Sequence, residues 1–217
     1  MARVWDIKLI LGSDGQPTSA EGVRRMRRDA DQNRVAVLEA ARRLVDRCGA
    51  DWTVADVADE ASVGKGTVYR HYPDVGALCS ALLDDDSREV QSRAMAIAVS
   101  GEPALRRADR ILDDLLSFTQ RNRALLCRAG RNRSAAPDRP RHAGAGAFHR
   151  MSLLTLLREA ARAGDLHPDV TPEYAVDALL AALDPALIAY QEGTVGLSSE
   201  QIRAGLRRLL AGLAAPP

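Results

Sequence analysis

The chain has 217 residues, 46% hydrophobic and 27% charged, enough for one large domain or two modest ones with a real core. That balance excludes a disordered polymer, and no apolar run approaches the ~20 residues needed to span a bilayer. A net charge of +1 excludes a globally basic surface, so any polyanion binding must come from a local patch.

Aromatic residues make up only 4%, which leaves Ala, Leu, Val and Ile to build the core, a composition that favours helices. Lys8 and Lys65 are the only lysines among 30 basic residues, so a lysine marks a position more sharply than an arginine does. Cys48, Cys79 and Cys127 are odd in number and far apart. They read as small buried hydrophobes in a reducing compartment, and no disulfide, metal site or cofactor is expected. Lys8 interrupts the short apolar run at 7–11, so a signal peptide is not expected and a cytoplasmic location is.

Residues 1–29 combine that run with the turn-rich GSDGQPTS and the basic RRMRRD, and read as a flexible arm; a start at Met26 is the alternative. From Asp31 to Cys48, apolar residues at Val35, Leu38, Ala41, Leu44, Val45 and Cys48 step by three and four, the mark of an amphipathic helix, and Gly49 ends it. Thr53 reads as the N-cap of a short helix, TVADVADEA, with Asp56 in the capping-box position. After Ser62-Val63-Gly64, a third short helix runs from Lys65 to Tyr72 and stops at Pro73. A longer helix is expected from Asp74 to about Ser100. Further helical patterns cover 103–122, a short segment 123–133, 148–164, 172–193 and 199–213, with a Pro/Gly/Ala-rich loop at 134–147. Pro185 should kink or divide the helix that contains it. The expectation is an all-α fold of about nine helices.

The first three helices form a supporting helix followed by a helix-turn-helix, a unit whose second helix enters the major groove of DNA. Lys65 and Arg70 bring charge; Thr67, Tyr69 and His71 bring hydrogen-bond donors; Gly66 permits close approach of the backbone. Val68 and Tyr72 fall on the opposite face and should pack inward. With that motif in place, Arg24, Arg25, Arg27 and Arg28 offer a third reading of the arm, as a contact to DNA phosphates.

Residues 31 to about 83 resemble the DNA-binding domain of the tetracycline-repressor (TetR) family of bacterial transcriptional regulators. The words that carry the likeness are VLEAARRLVDRCG, TVADVADEASV, GKGTVYRHYPD and VGALCSALL. Ser62 stands where the family usually has glycine in a left-handed turn, and Gly64 where it usually has a capping serine. Val75-Gly76 replaces residues that are often Lys or Glu, so one phosphate contact is expected to be missing.

The resemblance implies that Thr53, Lys65, Gly66, Thr67, Tyr69, Arg70 and His71 touch DNA, with Thr53 and His71 on phosphates. It implies an arm at 1–29, a DNA-binding domain at 30–90 with its motif at about 53–72, and a ligand-binding and dimerisation domain at 91–217. Leu179, Leu183, Ile202, Leu206, Leu209 and Leu213 lie on apolar stripes; they fit either a dimer interface or the subunit's own core, and the resemblance favours the interface. Phe118, Cys127, Met151 and Leu154 are candidates for lining an effector pocket, although ordinary core packing explains each. His142, His149 and His167 read as surface residues without metal-ligand spacing.

The implied partners are a palindromic double-stranded operator, a small-molecule effector and a second copy of the chain, with no membrane. The implied function is a repressor released by its effector. An activator or a protein-triggered regulator of the same fold is the alternative. No nucleophile elbow, metal cluster or phosphate loop points to an enzyme.

Overall fold

The computed structural model describes residues 20–49, 51–133 and 145–216, with side chains at 32–49, 51–130 and 146–216. The chain divides into two units, residues 1–73 and 74–217.

In the first unit α1 (Ala20–Cys48) packs against α2 (Val54–Glu60) and α3 (Lys65–His71), which also pack on each other. Helix α1 starts at Ala20, about three turns before the Asp31 start that the apolar spacing predicts. The stretch between holds mostly strong helix formers, Ala, Arg, Met and Glu, and its one Gly is tolerated at modest cost. The basic run at 24–28 is therefore helical backbone rather than part of an irregular arm, while residues 1–19 lie outside the described residues. Val37, Ala40, Ala41 and Leu44 form the buried line of α1 and face a core completed by Trp52, Val54, Val57, Ala58, Val68 and Tyr72. Gly49 ends α1 with a φ of 64°, the left-handed conformation that glycine adopts without a Cβ penalty.

The second unit opens with α4 (Val75–Leu82) and α5 (Asp84–Ala98), two helices where the periodicity predicts one. Leu83 closes the first and Asp84, Asp85 and Asp86 open the second. Aspartate is a poor interior helix residue but favourable beside the positive end of the helix dipole, so the acidic triplet restarts the helix rather than continuing it. In contrast, 104–133 is one helix, α6 (Ala104–Arg133), because no breaker separates the two segments that its sequence suggests. The remaining elements are α7 (Ala145–Ala163), α8 (Pro172–Ala181), α9 (Pro185–Tyr190), a π-helical turn at Gln191–Val195 and α10 (Ser199–Ala211). Pro185 does divide its helix: it stands at the start of α9, where its missing N–H costs nothing. The described residues thus form ten α-helices, all-α as expected, with one isolated backbone bridge between Leu166 and Ala214.

Helix α6 is the axis of this unit and packs on α4, α5, α7, α9 and α10. Ile111, Leu112 and Leu116 on α6, Leu153, Leu156 and Leu157 on α7, Val176 on α8 and Ile188 on α9 are almost wholly buried. Arg107 lies within this apolar layer. It donates to the Ala98 carbonyl at 2.6 Å and pairs with Glu159, so its charge is met on two sides.

His149 corrects the sequence reading. It is only 7% exposed, not a surface residue, because α7 extends back to Ala145 and carries it into the interior. Burial pushes its pKa down to about 4, from an ordinary value of 6.5. His142 lies outside the described residues, and His167 is half-exposed in the turn after α7. The unfolded chain takes up the His149 proton near pH 6.5 while the folded chain resists it until about 4, so its contribution to stability is complete above 6.5 and is lost as the pH falls through that window. Urea unfolding at pH 7, 5.5 and 4.5 should show stability declining with acid, and His149→Phe should flatten that decline.

Candidate nucleic-acid interface

The helix-turn-helix is assembled by short-range bonds that the sequence nearly dictates. Thr53 caps α2: its Oγ1 accepts from the Asp56 amide at 3.2 Å, and the Asp56 carboxylate accepts from the Thr53 amide at 2.7 Å. The Thr53 hydroxyl also donates to that carboxylate at 2.8 Å. These bonds hold the Asp56 carboxyl below the usual carboxylate range, with a smaller contribution from the Lys65 charge across the turn. Both donors of Thr53 are therefore engaged within the protein, and a phosphate contact from this residue requires that one of them turn outward.

The turn itself is tight. The amide of Ser62 donates to the Asp59 carbonyl and that of Val63 to the Ala58 carbonyl, at 3.1 and 2.9 Å. Ser62 adopts a φ of 55°, in the left-handed region that disfavours most side chains and that the departure from glycine implies. Gly64 is the N-cap of α3 and offers no side-chain bond, also as the sequence implies. At the other end, the amide of Tyr72 closes α3 on the Val68 carbonyl at 2.8 Å.

Val68 is 0% and Tyr72 5% exposed, so the inward face of α3 is the expected one. On the other face Lys65, Gly66, Tyr69 and Arg70 are exposed, Tyr69 by 51%, while Thr67 and His71 are half-buried. These six candidates share one seven-residue helix, and Thr53 stands apart at the start of α2. A Cβ built on Gly66 meets nothing within 4 Å. The fold therefore does not require glycine at this position.

A feature that sequence patterns miss joins α1 to the end of α2. Arg43 Nε and Arg47 Nη2, one turn apart on α1, donate to the two carboxylate oxygens of Glu60 at 2.8 and 2.9 Å. Both guanidinium groups hold the Glu60 carboxyl below its usual range, Arg43 first. The i, i+4 spacing of the arginines is visible in the sequence, but only the packing of α1 on α2 brings Glu60 between them.

The regulatory candidates scatter. Leu154 is buried in the main core, Phe118 packs against that core, Cys127 is half-buried and Met151 is 56% exposed. None of the four lines the cleft of about 330 Å³ formed by Arg93, Ala96, Ile97, Asp109, Arg110, Asp113, Asp114 and Arg207, where Arg93 pairs with Asp114 and Arg207 with Asp109. Of the interface candidates, Leu179, Leu183, Ile202 and Leu206 are at most 8% exposed within this chain and belong to its own core. Leu213 is half-buried against that core, and Leu209 alone of the six is exposed, at 58%. Periodicity marks a buried line without telling which body buries it. The apolar side chains that α8 to α10 leave exposed are instead Tyr174, Leu187, Tyr190 and Val195, together with Leu209.

Comparison with known proteins bears on the same segment. Residues 37–82 match the family model for bacterial regulatory proteins of the tetR family. An HTH-type transcriptional regulator of Staphylococcus aureus (strain USA300) is 32% identical over 111 residues, which cover 50% of this chain and 60% of that protein. The chain thus spans somewhat less than two thirds of that relative's length. Among solved structures, a TetR transcription regulator of Haloarcula marismortui superposes with a TM-score of 0.61 at 22% identity, over 85% of this chain and 99% of the other. The TetR-family repressor FadR of Thermus thermophilus, solved in complex with lauroyl-CoA, does so with a TM-score of 0.60 at 21% identity, over 85% and 96%. At such identities these two show a shared fold. The capped α2, the left-handed turn and the short basic-aromatic α3 thus lie in a segment, residues 37–82, that is similar to the DNA-binding segment of bacterial regulatory proteins of the tetR family.

Proposed function

We propose that two copies of this chain bind one palindromic duplex, each laying α3 into the major groove, and that a small molecule held in the second unit releases them, making the protein an effector-controlled repressor. The observation that carries this is the division of α3. Val68 and Tyr72 pin it inward, while Lys65, Gly66, Tyr69 and Arg70 are left on the outside, where a duplex would meet them.

Charge placement supports the same function. Over residues 1–73 basic and acidic residues nearly balance, at 12 and 11, so net charge gives the unit no general attraction for DNA. Arg43 and Arg47 are paired with Glu60, whereas Lys65 and Arg70 stand exposed on α3. One recognition helix spans only a few base pairs, which gives dimerisation its motive: two-fold symmetry doubles the site and sets its half-sites about one helical turn apart. The exposed Tyr174, Leu187, Tyr190, Val195 and Leu209 are the surface proposed for that contact. For the effector, the scarcity of aromatics favours a slim apolar or moderately polar molecule, a class to which the acyl chain bound by the FadR neighbour belongs.

If Lys65 meets only phosphate, Lys65→Ala should weaken binding to all duplexes alike and reduce the slope of log K against log salt by about 1, measured by fluorescence anisotropy from low to moderate salt. Gly66→Ala separates folding from binding. With open space at the Cβ, it should leave the melting temperature equal or higher, since alanine is the better helix former, while duplex affinity falls at least tenfold. A variant that melts lower and binds normally would contradict this role for Gly66. Sedimentation should show a dimer that Tyr190→Asp with Leu209→Asp converts to monomer without loss of helical signal; a monomeric wild type would refute the assembly.

A further inference from the structure

We propose that Glu60 is a positioning residue for α3: clamped by Arg43 and Arg47, it fixes the end of α2 and so the angle at which the recognition helix leaves the turn. This rests on the DNA-binding function proposed above.

Glu60 is the last residue of α2, where a carboxylate faces the negative end of the helix dipole and is locally unfavourable. Its presence there gains nothing for α2 itself. What compensates it is α1: two guanidinium groups, each bonded to its own carboxylate oxygen. Glu60 Oε1 and Oε2 are thus both committed, and its side chain is only 23% exposed although the two arginines are more than half exposed.

Only Ala61 to Gly64 separate this clamp from α3, and within them Ser62 is held at a φ of 55°. A strained residue persists only where its surroundings over-determine it. On the α2 side those surroundings are the two turn hydrogen bonds to Ala58 and Asp59 and the Glu60 clamp. On the far side, α3 has seven residues and is too short to hold its own geometry, so its aim depends on what precedes the turn and on Val68 and Tyr72 beneath it. The clamp joins α1 directly to that turn. A base-reading helix tolerates little error in angle, whereas phosphate attraction tolerates much. Loosening the clamp should therefore erode discrimination before it erodes general affinity.

The test compares wild type, Glu60→Ala, Glu60→Gln and the double variant Arg43→Ala/Arg47→Ala, as full chains, on a selected high-affinity duplex and an unrelated duplex of equal length. Amide hydrogen exchange over Lys65–Tyr72 is measured on the same proteins without DNA. Glu60→Ala should lower the affinity ratio between the two duplexes by about fivefold, the upper range for an ion-pair contribution. It should also speed exchange in α3 and leave the melting temperature within a few degrees. Glu60→Gln, which keeps an acceptor, should recover part of the ratio, and the double arginine variant should match Glu60→Ala. Three results overturn the proposal: an unchanged ratio with unchanged exchange, a parallel shift on both duplexes, or loss of binding together with the fold. Wild type that fails to distinguish the duplexes defeats the DNA-binding function itself, and the proposal with it, while wild-type discrimination that all variants retain defeats the proposal alone.

Discussion

Burial of Val68 and Tyr72 is the constraint on which the interface depends. A seven-residue helix has almost no stability of its own, because the cost of nucleation is spread over too few hydrogen bonds. Tertiary packing must supply the rest, and it does so through two side chains one turn apart, 0% and 5% exposed. Fixing that face decides the other. Once Val68 and Tyr72 point inward, helical periodicity sends Lys65, Gly66, Tyr69 and Arg70 outward. The outward face carries what a duplex needs, two charges, an aromatic hydroxyl and a position without a side chain, and no group that α3 needs in order to fold.

The elements before α3 serve that placement. Thr53 and Asp56 close the start of α2 with their own hydrogen bonds, Glu60 closes its end against α1, and Ser62 takes a left-handed conformation in the turn into α3. Each device is small, costs or contributes little alone, and agrees with its neighbours. That consistency between levels marks a sequence that specifies one geometry. The second unit is built differently, by broad apolar burial around α6 with ion pairs at its margins, such as Arg203 and Arg207 with Asp113.

The contrast explains what was legible in the amino-acid sequence. The capping box, the glycine stop at Gly49, the strained Ser62, the inward pair on α3 and the division at Pro185 are short-range effects, written in residues a few positions apart. The break between α4 and α5 was not legible, because Leu83 is an ordinary helix former and only the acidic triplet after it hints at a restart. The burial of His149 is hidden for a related reason: the Pro/Gly-rich stretch just before it points to surface, yet α7 begins early enough to bury the ring. The stripe on α8 and α10 does not by itself mark an interface, because its hydrophobic spacing is satisfied equally by a partner or by the chain's own core, and Leu179, Leu183, Ile202 and Leu206 are buried within this chain. The Glu60 clamp depends on a crossing between helices, which no local pattern encodes.

The central claim is that α3 reads duplex DNA as one of a symmetric pair. The most direct measurement is selection of bound duplexes from a random pool with the purified chain at moderate salt. The account predicts enrichment of an inverted repeat whose half-sites lie about one helical turn apart. Enrichment of nothing, or of a single unrepeated site, would contradict it.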